Sequence, residues 1–435
     1  MEPHPVRVVV SDDDDLKRRR LTVVFRWILA IPHFVWFLGW TIIVPLAAFL
    51  QWVVALIQGR PNPSVSTFLA SYVRYMTHLY AYLAIAADPY PGFFGRPGYP
   101  IDLEIDEPED PRQNRWTIAF RLILALPALL ITAVFVGVPA PYTERTAEAD
   151  TYSSIGSSTA GVIFIVAFLA WFACLATGRV PHGFRSLAAY ALRYSAQSYA
   201  YLFMLTARYP NSDPFDPPPP PPPTPQPVRI RIEDDLHRSR LTVFFRLLLT
   251  LPHIVWLVLW GIAAILVAIV NWFATLIMGR SPEGMHRFLA AYLRYTTHVY
   301  AFLFLVANPF PGFTGEYGSY PIDLEIDPPE RQHRLKTLFR VFLAIPAFFV
   351  SSGLSALLFV IAFLGWFAAL ATGRMPLGMR NAGAFVLRYE AQLGAYGFYL
   401  LTDRYPYSGP AERFGEPVED EPEAEPFEPA PAFAA

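Results

Sequence analysis

The sequence predicts an all-α membrane protein of multi-pass helical hairpins, with short β-strands outside the bilayer and four internal repeats arranged as a duplicated pair. Three observations predict it. The 435 residues are 54% hydrophobic and 16% charged, with a mean hydropathy of +0.32, where an ordinary soluble chain carries roughly 25% charged residues. Apolar blocks of about 20 residues, the length of a membrane crossing, alternate with short polar segments. Arg-Tyr recurs at Arg74-Tyr75, Arg193-Tyr194, Arg294-Tyr295 and Arg388-Tyr389, each time at one distance after Gly-Arg: 59 to 74, 178 to 193, 279 to 294 and 373 to 388.

The copies cover residues 7–93, 99–210, 228–313 and 320–406. They divide the chain into repeat units at 1–98, 99–210, 228–319 and 320–408, a proline-rich linker at 211–227 and a tail at 409–435. Copy one resembles copy three (LTVVFRWILAIPHFVW at 21–36, LTVFFRLLLTLPHIVW at 241–256), and copy two shares YPIDLEID with copy four. A pair was duplicated. The seven prolines at 217–223 predict a stiff, extended, solvated spacer between the halves.

Each copy opens on a short segment that alternates apolar and charged residues, clearest in Ile101-Asp102-Leu103-Glu104-Ile105, Val228-Arg229-Ile230-Arg231-Ile232 and Ile322-Asp323-Leu324-Glu325-Ile326. That is the period of a half-buried strand. Odd copies carry positive strand charges and even copies negative ones, so neighbouring strands are expected to pair in a small sheet.

A long apolar stretch follows, residues 21–58 in copy one. As one helix it measures roughly 57 Å, nearly twice the hydrocarbon thickness, so a hairpin is expected: helix A over about 21–39 and helix B over about 42–58. Copy two carries a polar insertion near 139–158, and an insertion belongs at an exposed turn. The matching turns are Gly39 with Pro45, Trp260-Gly261 and Ser351-Ser352-Gly353. Pro32, Pro127, Pro252 and Pro346 fall inside helix A and are expected to kink it. A Tyr-rich helix C follows Gly-Arg, over about 65–87 in copy one. If it lies at the interface, the chain has eight spans with all its basic lead-ins on one face; if it crosses, twelve. The positive-inside rule favours eight, with both termini cytoplasmic in a bacterial plasma membrane. Residues 412–435, rich in Glu, Pro and Ala, read as a disordered acidic tail.

The net charge of −2 and the absence of a basic domain argue against nucleic-acid binding. The single cysteine, Cys174, excludes a disulfide within the chain, and no Cys/His knuckle is present. No basic segment leads into an apolar run at the N-terminus, so no cleavable signal peptide is expected.

The extended lead-in, the Arg before Ile/Leu-Pro, Trp171-Phe172, Trp272-Phe273 and Trp366-Phe367, Thr177-Gly178-Arg179 and Thr372-Gly373-Arg374, and the closing Tyr209-Pro210 and Tyr405-Pro406 together resemble a bacterial, mostly actinobacterial, membrane family known as domain of unknown function 4389. The resemblance covers almost the whole chain as four tandem units. Departures are Gln58-Gly59-Arg60 and Met278-Gly279-Arg280, and the Asp-Pro-Tyr-Pro and Asn-Pro-Phe-Pro endings of copies one and three. The resemblance implies a membrane protein; it implies no activity and no cofactor.

Two residue sets stand out as candidates. Arg26, Arg121, Arg246 and Arg340 lie two turns inside the apolar run, and Arg74, Arg193, Arg294 and Arg388 belong to the Arg-Tyr frame. Such arginines either grip anionic lipid headgroups or clamp the carbonyl end of a neighbouring helix. The second set is confined to odd copies: His33, Gln51 and His78 in copy one, His253, Asn271 and His298 in copy three, where even copies hold Ala128, Ala170, Gln197, Ala347, Gly365 and Gln392. Polar groups within apolar helices either line a cavity or hold helices together. No nucleophile motif, phosphate loop or metal motif occurs, and the acids at 12–15 read as a solvated turn. The expected role is a non-enzymatic membrane scaffold that binds anionic lipid through the repeated arginines and recruits cytoplasmic proteins, with no metal or cofactor. The alternative is a transporter or channel with a cavity between the halves lined by the odd-copy His, Gln and Asn residues.

Overall fold

The computed structural model describes residues 3–11, 16–106, 112–137 and 160–411. The acids at 12–15, the insertion at 139–158 and the tail at 412–435 lie outside them. Four copies of one unit follow one another: a strand, a long apolar helix, a tight glycine turn and a second helix antiparallel to the first. Copy one comprises β1 (Val6–Val10), α1 (Arg20–Leu29), α2 (Ile31–Gln58) and α3 (Pro63–Leu83). Copy two comprises β2 (Ile101–Ile105), α4 (Arg115–Ala119), α5 (Arg121–Val136), α6 (Val162–Thr177) and α7 (His182–Leu202). Copy three is β3 (Val228–Ile232), α8 (Arg240–Met278) and α9 (Glu283–Leu303). Copy four is β4 (Ile322–Ile326), α10 (Arg334–Leu338), α11 (Arg340–Thr372) and α12 (Leu377–Leu393), closed by a π-helical turn, Gly394–Phe398.

The Gly-Arg frame has a backbone cause. Gly59, Gly178, Gly279 and Gly373 end the long helices at φ of 73°, 75°, 75° and 75°. Each donates its N–H to a carbonyl one turn back, Ala55, Cys174, Thr275 or Ala369. Only glycine takes that left-handed conformation without a steric cost, so every copy keeps it at the point where the chain reverses.

The long helices correct the expected hairpins. In copies one, three and four the helix runs straight through Gly39 and Pro45, Trp260-Gly261 and Ser351-Gly353. A lone glycine costs a helix only about 1 kcal/mol. Opening the backbone would leave N–H and C=O groups among apolar side chains that cannot satisfy them, which costs more. Pro252 and Pro346 are accommodated inside α8 and α11; in copy one the break falls at Ala30, just before Pro32. Copy two is interrupted rather than turned. Gly137 bridges Ala160, so α6 restarts where α5 stopped. The Arg121 guanidinium lies 4.1 Å from the centre of the Tyr201 ring, and Phe135 packs on Tyr190 and Tyr194. Thus α5 lines the C-terminal half of α7, and α6 ends at the turn into α7. The insertion falls in sequence between the end of α5 and the start of α6.

The strands pair as their charges require, in two separate two-stranded antiparallel sheets, β1–β2 and β3–β4. Arg7 faces Glu104 and Arg229 faces Glu325, with N–O distances of 3.6 and 3.2 Å. Each odd copy therefore pairs with the even copy after it, and the pairing is reciprocal. The Trp52 indole N–H donates to the Ile118 carbonyl and Trp171 to Val23; Trp272 donates to Thr337 and Trp366 to Val243. The end of each long helix lies beside the start of its partner's, which relates the two units by a pseudo-twofold axis. The second helices, α3 with α7 and α9 with α12, pack against each other inside the pair.

Even copies join the halves. Asn381 donates to the Asp213 carboxylate at 2.6 Å, and Tyr190 packs on Phe385. Gly183 sits against Ser408 as its counterpart Gly378 sits against Ser212, so a second pseudo-twofold relates the halves. The spatial order of copies is one, two, four, three.

Polarity is inverted in α8. α8 buries Val243, Arg246, Thr250, His253, Ala264, Asn271 and Thr275, mostly polar, while its outward surface is Leu, Ile, Val, Phe and Trp. Three helices, Arg20–Gln58 (the joined α1 and α2), Arg240–Met278 and Arg340–Thr372, are long and apolar enough to cross a membrane.

Candidate functional site

The conserved geometry of the four copies is a set of arginine clamps. Arg26, 1% exposed, donates to the carbonyls of Tyr82 (2.8 Å) and Ala87 (3.0 Å) and to the Asp88 carboxylate (2.7 Å), with its guanidinium over the Tyr82 ring. Arg246 does the same with Phe302, Ala307 and Asn308. Arg340 reaches the Thr402 carbonyl, Gln332 and Asp403, and Arg121 bonds Gln113 and stacks on Tyr201. In three copies the clamped carbonyls end, or lie just beyond, the second helix, groups that no helix satisfies internally.

The Arg-Tyr arginines clamp the next layer. Arg74 and Arg294 donate to the strand carbonyls of Leu103 and Leu324, both at 2.9 Å. Arg193 holds the carbonyls of Asp213 and Asp216, and Arg388 those of Tyr407 and Gly409. All eight guanidinium groups are thus directed into the protein. Of the two roles open to them, the contacts are those of carbonyl clamps, and the lipid-gripping role has no exposed guanidinium at these positions to carry it.

The odd-copy residues are accounted for one by one. His33 Nδ1 lies 3.1 Å from the Tyr75 hydroxyl, and His253 Nδ1 lies 2.8 Å from that of Tyr295. The Tyr75 hydroxyl also reaches the His33 carbonyl, and in copy four, where Ala347 replaces the histidine, the Tyr389 hydroxyl keeps that carbonyl contact with Ala347. Each imidazole also stacks on loop aromatics, Phe93 and Tyr90 or Phe313 and Phe310. Gln51 latches the turn after its own helix through Ser66 and the Asn62 N–H, and Asn271 bonds Ser281 and the Tyr399 carbonyl. His78 and His298 each meet a strand carboxylate, Asp102 and Asp323, at 2.8 Å. The even-copy Gln197 and Gln392 reach the strand carbonyls of Val6 and Val228 from the same helical position. Burial works against ionisation of Asp102, but hydrogen bonds from His78 and from the Gly98 and Leu103 N–H groups outweigh it and hold the carboxyl below its ordinary range.

These six residues do not line a common cavity. They belong to the outer copies, each is bonded to its local neighbours, and the junction between halves is built by copies two and four. That removes the lining of the expected central pore. Among the described residues no three His, Cys, Asp or Glu side chains converge to hold a metal.

The sequence reading missed two features. Glu390 sits on α12 with its carboxylate accepting from Ser351 (2.7 Å) and Ser355 (3.0 Å) of α11; its position is Ser195 in copy two, so no repeat signal marks it. The other feature is at the helix junctions. Arg20, Arg115, Arg240 and Arg334, the first residues of their long helices' opening turns, each donate to a carbonyl in the last turn of the partner's long helix: Ala176, Ile57, Ala371 and Ile277. Their recurrence at one place in every copy was the available signal. At the first junction a cavity of about 540 Å³ is lined by Lys17, Arg18, Arg19, Asp88, Thr177, Gly178 and Arg179.

No curated protein and no solved structure matches the chain. A family model described as domain of unknown function (DUF4389) matches it four times, over residues 20–95, 154–212, 240–314 and 334–408. Together those four matches span more than half of the chain, and the chain belongs to that family.

Proposed function

We propose that this protein is a membrane-resident, non-enzymatic scaffold of the bacterial plasma membrane, with its termini and paired strands on the cytoplasmic side. The observation that carries the reading is the inverted polarity of α8: its buried side chains are mostly polar, and its exposed face is a continuous sheet of Leu, Ile, Val, Phe and Trp. Water cannot favour that arrangement, since an exposed apolar surface of this size on a soluble protein drives association; lipid can. The eight clamp arginines stabilise the frame, and the charged faces of β1–β2 and β3–β4 are what the frame presents to protein partners.

Alkaline carbonate extraction of cell membranes tests the reading. The full chain is expected to stay in the membrane pellet and to be released by detergent; recovery in the aqueous supernatant would reject it.

A further inference from the structure

Resting on that membrane reading, we infer that the long helices do not stand across the bilayer but lie along it. They sit within one leaflet, and the helix junction at Arg280 and Arg331 holds the phosphate of an anionic lipid of that leaflet.

Length is the first argument. The 39 residues of α8 measure roughly 58 Å, whereas the hydrocarbon layer is about 30 Å thick. The exposed apolar surface does not stop short of the ends: Leu241 is 71% exposed, Leu247 75% and Ile277 72%. To bury that whole length by crossing, the helix would tilt by about 60°, beyond the 0–40° found for spanning helices. An upright helix would leave nearly half its apolar surface in water.

In α8 the polar residues run along one face from Arg246 through Thr250, His253 and Asn271 to Thr275, all buried towards the rest of the protein, so the outward face is apolar along its whole length. Trp36 and Trp256 lie midway along exposed long-helix faces, yet tryptophan prefers headgroup depth.

Charge is the third argument. Because each helix start lies beside a partner's helix end, the exposed cations fall into four corners: Lys17, Arg19, Arg20 and Arg179; Arg60, Arg112 and Arg115; Arg240 and Arg374; Arg280, Arg331, Arg334 and Lys336. The two corners of a pair lie at opposite ends of the same long helices. Crossing would put cations on both sides of the bilayer, against the positive-inside rule; lying flat puts all four corners at the headgroups of one leaflet.

The corner at Arg280 is also built for an anion. A backbone bridge places Arg280 opposite Arg331. Like charges directly opposite repel unless an anion lies between them. Among the described residues no acidic side chain pairs with Arg179, Arg280 or Arg331, and Asp88 in the first corner is already engaged by Arg26.

The test uses the full chain with Cys174 replaced by Ala and one cysteine introduced at Arg19 or at Arg60, the two ends of one long helix. A membrane-impermeant maleimide is applied to sealed vesicles of each orientation. Both sites are expected to react from the same side; reaction from opposite sides overturns the in-plane arrangement while leaving membrane residence intact. Recovery of the protein without membranes defeats this inference and the reading beneath it together. For the corner at Arg280, the double variant Arg280→Glu/Arg331→Glu is compared with the unaltered chain in micelles of phosphatidylglycerol and phosphatidylcholine. Its enrichment of phosphatidylglycerol is expected to fall by about tenfold or more, with helix content unchanged by circular dichroism. Equal enrichment rejects the lipid site, and so does suppression of wild-type enrichment by millimolar inorganic phosphate without any ionic-strength-matched chloride effect, which would assign the corner to free phosphate.

Discussion

The two helices of copy three divide their chemistry in opposite ways. α9, with its Arg, Thr, His and Tyr residues, buries ten of its 21 residues. α8, made largely of Leu, Ile, Val, Phe and Trp, buries seven of 39. In water the order would be reversed, because apolar burial drives folding. Here the polar helix is the more buried and the greasy one is the more exposed. The difference teaches that polar clamps, helix capping and close packing assemble this unit, an arrangement that the proposed membrane setting favours.

The largest way to break that comparison is to remove a clamp from inside. Arg246→Leu removes the guanidinium donor from the Phe302 and Ala307 carbonyls and from Asn308. It is expected to destabilise the detergent-solubilised protein by about 2–4 kcal/mol, the cost of leaving buried acceptors without that donor, read as a fall in the unfolding midpoint. Next comes the turn that separates the two helices. Gly279→Ala forces a side chain into φ of 75° and is expected to cost about 1–2 kcal/mol, measured the same way.

The sheet side sharpens the comparison because it can be titrated. His4, next to β1, is pushed down to about 4 by burial, with the Val6 carbonyl opposing and Arg208 adding to the shift. A histidine whose folded pKa lies below its unfolded value stabilises through its neutral form. That contribution is complete above about pH 6.5 and is lost as the pH falls towards 4. His4→Gln is expected to flatten the stability profile across that window; an unaltered slope would place the titration elsewhere. The smallest effect is expected on the shell. Leu247→Ala removes a side chain that is 75% exposed and should change stability by no more than about 0.5 kcal/mol.

Much of this was legible in the sequence, for reasons that can be named. Gly-Arg repeats because a left-handed helix cap needs glycine, and a cap leaves its mark locally. The strand pairing was legible because Arg7 and Arg229 carry the charge opposite to that of Glu104 and Glu325. The hairpin was not. Gly39, Gly261 and Gly353 look like turns in an alphabet learned from water, but in an apolar layer a helix passes through them. The insertion in copy two then misled, since α5 and α6 succeed each other along α7. The arginine clamps were half legible: charge inside an apolar run marks a site, but only the fold reveals that Tyr82, Ala87 and Asp88 stand within reach of Arg26. The odd-copy histidines answer to Tyr75 and Tyr295, partners one turn of reasoning away that a search for a shared cavity passes over.

Photolabelling from within the lipid phase tests the central claim most directly. A small apolar diazirine partitioned into membranes containing the full chain, followed by peptide mapping, is expected to mark Arg20–Gln58 and Arg240–Met278 heavily and Glu283–Leu303 sparsely. Equal labelling of Glu283–Leu303, or none on Arg240–Met278, would contradict it.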